Sequence, residues 1–210
     1  MTEVAAVLGG YLLGSLPFGY WLVRAFRGED IRSQGSGNTG ATNVFRLYGR
    51  RLGVTVALLD LAKGFAAAAL GLWAGGALVG VLAGAAAMLG HARPLFLGFR
   101  KGGKMVATAG GAMLALAPLA ALSCAGVWLV VFFLTRYASV ASIVSALALP
   151  LFAWAYGDSW PVVAFAGAGA AAIVFLHRHN VRRLFAGTEH RFRLGRPRGA
   201  SSYTSSSLRR

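Results

Sequence analysis

The chain has 210 residues, 57% of them hydrophobic, a mean hydropathy of +0.62 and a formal net charge of +15. So apolar a composition excludes an ordinary soluble domain, and so strong a charge points instead to a polytopic membrane protein with basic loops. Six scattered acidic residues form no carboxylate cluster for a divalent metal, and the single cysteine, Cys124, allows no intramolecular disulfide.

Apolar segments run over 4–26, 52–72, 76–92, 104–117, 119–135, 139–156 and 160–177. A helix needs about 20 residues to cross the hydrocarbon of a bilayer. The first segment is too long for the apolar part of a leader peptide and carries its positive charges after it, so it is expected to be a retained span. The basic residues are segregated. Arg24, Arg27, Arg32, Arg46, Arg50 and Arg51 form an early block, Arg93, Arg100, Lys101 and Lys104 a middle one, followed by Arg136 and a basic end from Arg178 onward. The turns near Trp73–Gly76, Pro118 and Tyr156–Trp160 carry no Lys or Arg. Seven spans put every basic segment except Lys63 on one side, which the positive-inside rule makes the cytoplasm.

The expected fold is therefore an all-α integral membrane protein of about seven transmembrane helices, with an extracytoplasmic N-terminus and a cytoplasmic C-terminus. Residues 1–194 are expected to form one transmembrane domain, and 195–210 a basic, Ser-rich, disordered cytoplasmic tail on anionic headgroups. Gly75, Gly76, Gly80, Gly84, Gly167 and Gly169 are expected to permit close helix packing. Cys124 reads as a small buried apolar residue.

Four polar segments interrupt this pattern. Gly35–Arg46 is rich in glycine and small donors, a composition that lets backbone N–H groups converge on an anion. Such backbone survives in lipid only at an aqueous face or along a cavity. Within the second span, Asp60 and Lys63 stand three apart and are expected to form an ion pair that positions helices. His91–Lys104 leads into an apolar helix, where Gly102 and Gly103 would offer free N–H groups and Lys104 a full charge. Gly98 to Lys104 has the spacing of a nucleotide P-loop, but Met105 stands where a Ser or Thr should hold magnesium and no strand precedes it. A nucleoside triphosphatase is thereby rejected. Ser139 and Ser142 share a helix face, as do His177 and Asn180, and Glu189 is expected to pair with neighbouring arginines. No His is followed five residues later by Asp, so the H-x-x-x-x-D pair of acyl-CoA-dependent acyltransferases is absent.

GSGNTGATNVFR, the H-x-x-P-x-x-x-G-F…GGK segment, RYxSxxS and the terminal HRxNxxRLxxGxEHRF together resemble the bacterial acyl-phosphate:glycerol-3-phosphate acyltransferase family, in order from about Gly14 to Phe192. The resemblance implies a seven-span enzyme of the bacterial cytoplasmic (inner) membrane, with its active site on the cytoplasmic side. It would transfer a fatty acyl group from acyl phosphate to the 1-hydroxyl of sn-glycerol 3-phosphate, giving 1-acyl-sn-glycerol 3-phosphate (lysophosphatidic acid) and phosphate, the first acylation of phospholipid synthesis. One departure is visible: the family usually reads GGKG, whereas Met105 follows Lys104 here, and a bulkier side chain could narrow that loop.

Acyl phosphate is already an activated mixed anhydride, so no acyl-enzyme, cofactor or metal is expected, and the chemistry reduces to orientation. The expected partners are glycerol 3-phosphate, fatty acyl phosphate and membrane lipid, with no nucleic acid. Ser36, Arg46, Lys104, His177 and Asn180 are the expected catalytic set. Gly37, Asn38, Asn43, Gly102, Gly103 and Ser142 are expected to bind substrate or phosphate, and Glu189 to be structural. His177 is a candidate base, although the phosphate of the donor can take the proton instead. A transporter for a phosphorylated small molecule shares the anion sites but would need a polar path across the spans. A scaffold recruiting acidic partners leaves Ser36, Asn38, His177 and Asn180 without a purpose.

Overall fold

The structure, a computed structural model, describes residues 1–192; the expected tail over 195–210 lies outside the described residues. Among the described residues the chain is all-helical, without strands, and comprises nine α-helices. These are α1 (Thr2–Gly14), α2 (Phe18–Arg27), α3 (Ala41–Tyr48), α4 (Arg50–Ala92), α5 (Val106–Leu116), α6 (Pro118–Thr135), α7 (Ala138–Ala155), α8 (Trp160–Leu176) and α9 (Arg178–Phe185).

The expected first span appears as Thr2–Arg27, two helices with a short interruption between them. Proline at 17 has no N–H to donate and ends α1 from α2, leaving Ser15–Pro17 as a break. Helix α2 is rich in aromatic and aliphatic side chains and carries Arg24 and Arg27 in its last turn. Two expected spans form one element, α4, folded at Gly75 and Gly76. Gly76 takes φ +73°, which other residues adopt only with strain. Beyond this turn the two arms lie against each other: a Cβ on Gly71 would stand 2.6 Å from the Val79 carbonyl oxygen.

Small residues hold this interior together. Gly10 and Gly14 bring α1 against Ala83 and Ala87 of the second arm, and Gly84 touches Ala112 of α5. Three expected packing glycines behave otherwise, since Gly75 and Gly76 make the turn, and Gly167 has no heavy atom within 4 Å of where its Cβ would be. Cys124 is buried in the main core with Met88, Met113 and Phe165. A smaller core of Val23, Ile31, Val44 and Val56 seats α2 and α3 on the start of α4.

Outward, the usual preference is inverted. Leu119, Leu122, Val130, Phe133, Leu134, Leu151 and Trp154 are all exposed. An aqueous monomer would leave far too much apolar surface wet, whereas lipid solvates it at no cost. Thr2–Arg27, Arg50–Leu97, Pro118–Thr135 and Ala138–Ala155 are long and apolar enough to cross a membrane, and Trp160–Leu176 joins them if it continues into Arg178–Phe185 through a 53° bend. Helix α5 has 11 residues, about 16 Å at the helical rise, roughly half a hydrocarbon core.

Candidate active site

The polar segments meet where the ends of α4, α7 and α8 approach α3 and α9. Lys104 lies in the loop before α5, and its Nζ donates to Asn180 Oδ1 on α9. Asn180 Nδ2 donates to Glu189 Oε1 at 2.6 Å, the same oxygen that accepts Ser139 Oγ at 2.8 Å. Arg183 Nε donates to Glu189 Oε2 at 2.7 Å. Three side chains thus converge on one carboxylate and Lys104 joins them through Asn180, with Asn180, Ser139 and Glu189 buried.

Arg46 approaches from α3. Its guanidinium lies 5.5 Å above the ring of Phe192, which also packs on Phe45 and Phe132. The segment after α9 is held down by the Phe192 N–H donating to the Arg136 carbonyl at 2.8 Å. Arg136 is the left-handed cap of α6, at φ +65°. The charges are mutually tuned. Burial pulls the Lys104 ammonium down to about 8, Glu189 opposes this, and Arg183, Lys101 and Arg46 reinforce it. Burial likewise lowers the Arg46 guanidinium from its usual value, with Glu189 opposing. Burial would raise the Glu189 carboxyl, but the donors Asn180, Ser139 and Arg183 outweigh it and hold it below the usual range.

His177 sits between α8 and α9, buried, with Nδ1 2.8 Å from the Ile173 carbonyl oxygen. A carbonyl only accepts, so Nδ1 carries the hydrogen and a neutral ring keeps Nε2 as an acceptor. The backbone couples this residue to the network, the Asn180 N–H donating to the His177 carbonyl at 2.8 Å. Ser142 stands one turn beyond Ser139 and accepts from Trp128 Nε1 at 3.1 Å, which leaves its own hydroxyl hydrogen to donate.

The glycine-rich loops are built differently from the expectation. Asn43 holds the first together from within: its Nδ2 donates to the carbonyls of Gln34 (3.1 Å) and Asn38 (2.9 Å), and its Oδ1 accepts the Ser36 N–H at 3.1 Å. The Gly37 N–H donates to Gln34. The Ser36 and Gly37 amides are therefore spent on the loop, and Asn43 acts on its shape. Asn38 Oδ1 accepts the Gly40 N–H at 2.7 Å, whereas its buried Nδ2 has no partner among the described residues. The link from Ser36 to Arg46 runs through Asn43, one turn before Arg46 on α3.

Gly102 and Gly103 also differ. Their N–H groups donate to Ala92 and His91, each at 2.9 Å, because the end of α4 presents carbonyls with no partner in the helix. A Cβ on Gly103 would overlap the His91 ring, so glycine is needed for close approach rather than for free amides. Helix α5 begins only after Met105, a buried residue at φ +69°. The expected departure at this position is thus a side chain placed where glycine is unstrained. Ser139, Arg183 and Phe192 complete the cluster although they were not among the expected site residues. The sequence signal was there for two of them, since Ser139 shares a face with Ser142 and Arg183 with Asn180.

The family model of glycerol-3-phosphate acyltransferase matches residues 4–187. This chain belongs to that family. The glycerol-3-phosphate acyltransferase of Synechococcus sp. (strain JA-2-3B'a(2-13)) is 50% identical over 191 residues, 91% of this chain and 95% of its own length. That of Chlorobaculum parvum is 38% identical over 230 aligned positions, covering 93% and 99%. The fold is similar to the crystal structure of PlsY, an integral membrane glycerol 3-phosphate acyltransferase, in its glycerol 3-phosphate form. The TM-score is 0.88, with 42% identity over 91% of this chain and 96% of that one. The lysophosphatidic acid form gives 0.85, with 41% identity and the same coverage. As a glycerol-3-phosphate acyltransferase family member with several apolar helices, the chain is a multi-pass membrane protein.

Proposed function

We propose that the protein transfers a fatty acyl group from acyl phosphate to the 1-hydroxyl of glycerol 3-phosphate, at the cytoplasmic face of a bacterial inner membrane. The observation that carries this reading is the convergence of Lys104, Arg46 and Arg183 beside Asn180 and His177, in a chain whose relatives are glycerol-3-phosphate acyltransferases. Both substrates are phosphorylated, and a cluster with more cationic than anionic groups can hold two such anions. The segregation of basic residues supports seven spans with the N-terminus outside and the C-terminus inside. One domain over 1–194 follows from that reading.

In this account Lys104 and Arg46 neutralise phosphate charge, while Ser36 and Asn38 line the same anion site. Asn180, Ser142 and His177 orient the glycerol hydroxyls. The 1-hydroxyl oxygen attacks the acyl carbonyl carbon, a new C–O ester bond forms, and the bond from that carbon to the phosphate oxygen breaks. The 1-hydroxyl proton goes to the departing phosphate, and His177 Nε2 accepts a hydrogen bond from the neighbouring 2-hydroxyl that directs the attack. No cofactor enters, because the mixed anhydride supplies its own leaving group.

The test is donor choice. Purified protein is incubated with labelled glycerol 3-phosphate and either palmitoyl phosphate or palmitoyl-CoA. Lysophosphatidate from the phosphate donor alone supports the reading. Formation from palmitoyl-CoA, or uptake into liposomes without acylation, contradicts it.

A further inference from the structure

Asp60 and Lys63 on the first arm of α4 form a buried pair, Nζ to Oδ1 at 2.8 Å, each side chain 3% exposed. The same Oδ1 lies 3.5 Å from Nδ1 of His91, on the last turn of the second arm. Each partner of Asp60 reaches a different backbone segment. Lys63 Nζ donates to the Leu16 carbonyl at 2.9 Å, in the break between α1 and α2. His91 receives the Gly103 N–H on its carbonyl, and its ring occupies the space where a Gly103 Cβ would stand. Just beyond the break, Gly19 fits beneath the Thr39 carbonyl, in the loop that ends at Arg46.

Two apolar side chains would join the arms of α4 with less desolvation than two buried charges. What the charged pair adds is direction, fixing His91 on one side and the Leu16 carbonyl on the other. We propose that Asp60, Lys63 and His91 are positioning residues that hold the Lys104 loop and, through Leu16–Gly19, the Ser36–Arg46 loop in register for the transfer. This inference rests on the acyl-transfer reading. The three residues touch neither substrate; they act through the backbone on which Lys104 and Thr39 are carried.

The test is the double variant Asp60→Leu/Lys63→Met, which removes both charges and leaves neither unpaired. The expected result is an unfolding temperature near that of the unaltered protein, with kcat for palmitoyl phosphate and glycerol 3-phosphate lower by about tenfold to a hundredfold. Gly103→Ala should cost the double variant less activity than it costs the unaltered protein, because both changes act through the same loop. Unaltered kcat and KM in the double variant, or full additivity with Gly103→Ala, overturns the proposal. If the double variant does not fold, His91→Asn decides, since it keeps both charges and the backbone carbonyl but removes the ring beneath Gly103. A folded His91→Asn protein with reduced kcat supports the proposal, and normal turnover overturns it. If the unaltered protein makes no lysophosphatidate, the acyl-transfer reading itself fails, whatever the variants do.

Discussion

Asn180 places its side-chain Nδ2 2.6 Å from Glu189 Oε1, and this contact decides which way its amide faces. A carboxylate only accepts, so the amide nitrogen must face Glu189 and the oxygen must face Lys104. Glu189 therefore governs the Lys104 ammonium without touching it.

Glu189→Gln removes the charge that Arg183, Lys104 and Arg46 share, and lets the new amide compete with Asn180. Loss of about 1–3 kcal/mol of stability is expected, from donors left without an acceptor. Thermal unfolding in detergent and membrane abundance report it. Because the folded-state pKa of this carboxyl is depressed, its stabilising contribution is present above the ordinary carboxylate pKa and is lost as pH falls through the folded value. The variant should accordingly lose less stability on acidification than the unaltered protein. Normal abundance and stability with abolished turnover would instead make Glu189 a substrate contact.

The Lys104 ammonium is charged below about 8 and neutral above it. If the charge binds phosphate, kcat/KM for glycerol 3-phosphate should fall as pH rises through about 8. Lys104→Arg, which stays protonated throughout, should show lower activity but no alkaline fall in that range. A pH profile of both proteins checks this, and an identical alkaline limb in the two would assign it to another group.

His177→Ala separates orientation from proton transfer. Loss of the Nε2 acceptor should raise KM for glycerol 3-phosphate more than it lowers kcat, because the donor phosphate takes the proton. A fall in kcat of a hundredfold or more with KM unchanged, the lower part of the range for general-base loss, would make His177 the base.

Met105→Gly relieves a left-handed backbone worth about 1–2 kcal/mol. It also empties a buried site, at a cost of about 2–5 kcal/mol for a side chain of this size. The net expectation is a less stable protein that keeps its kcat/KM, since glycine is what the family pattern has there. Unfolding temperature and steady-state kinetics on one preparation check both halves.

The apolar lengths were sufficient to locate the long apolar helices, because lipid exposure demands long uninterrupted apolar runs, but not the short polar α3 and α9. They did not reveal the break at Pro17, since Leu16 and Phe18 keep the composition apolar across it. The signal was the proline itself. In the site, residue type was legible and partnership was not. Lys104 and Asn180 are 76 residues apart, and no local pattern specifies that contact. The glycine loops were read by composition as amides open to an anion. The structure spends those of Ser36, Gly37, Gly102 and Gly103 on Asn43, Gln34 and the end of α4, because backbone donors near unpaired carbonyls find them first.

Direct transfer at a two-anion site is the central claim, and phosphate release under single-turnover conditions tests it most directly. Purified protein is mixed with an equal amount of palmitoyl phosphate, first without and then with glycerol 3-phosphate. The account predicts no burst of phosphate until the acceptor is added, then release matching lysophosphatidate formed. A burst equal to the amount of protein in the absence of glycerol 3-phosphate would show an acyl-enzyme and contradict the account.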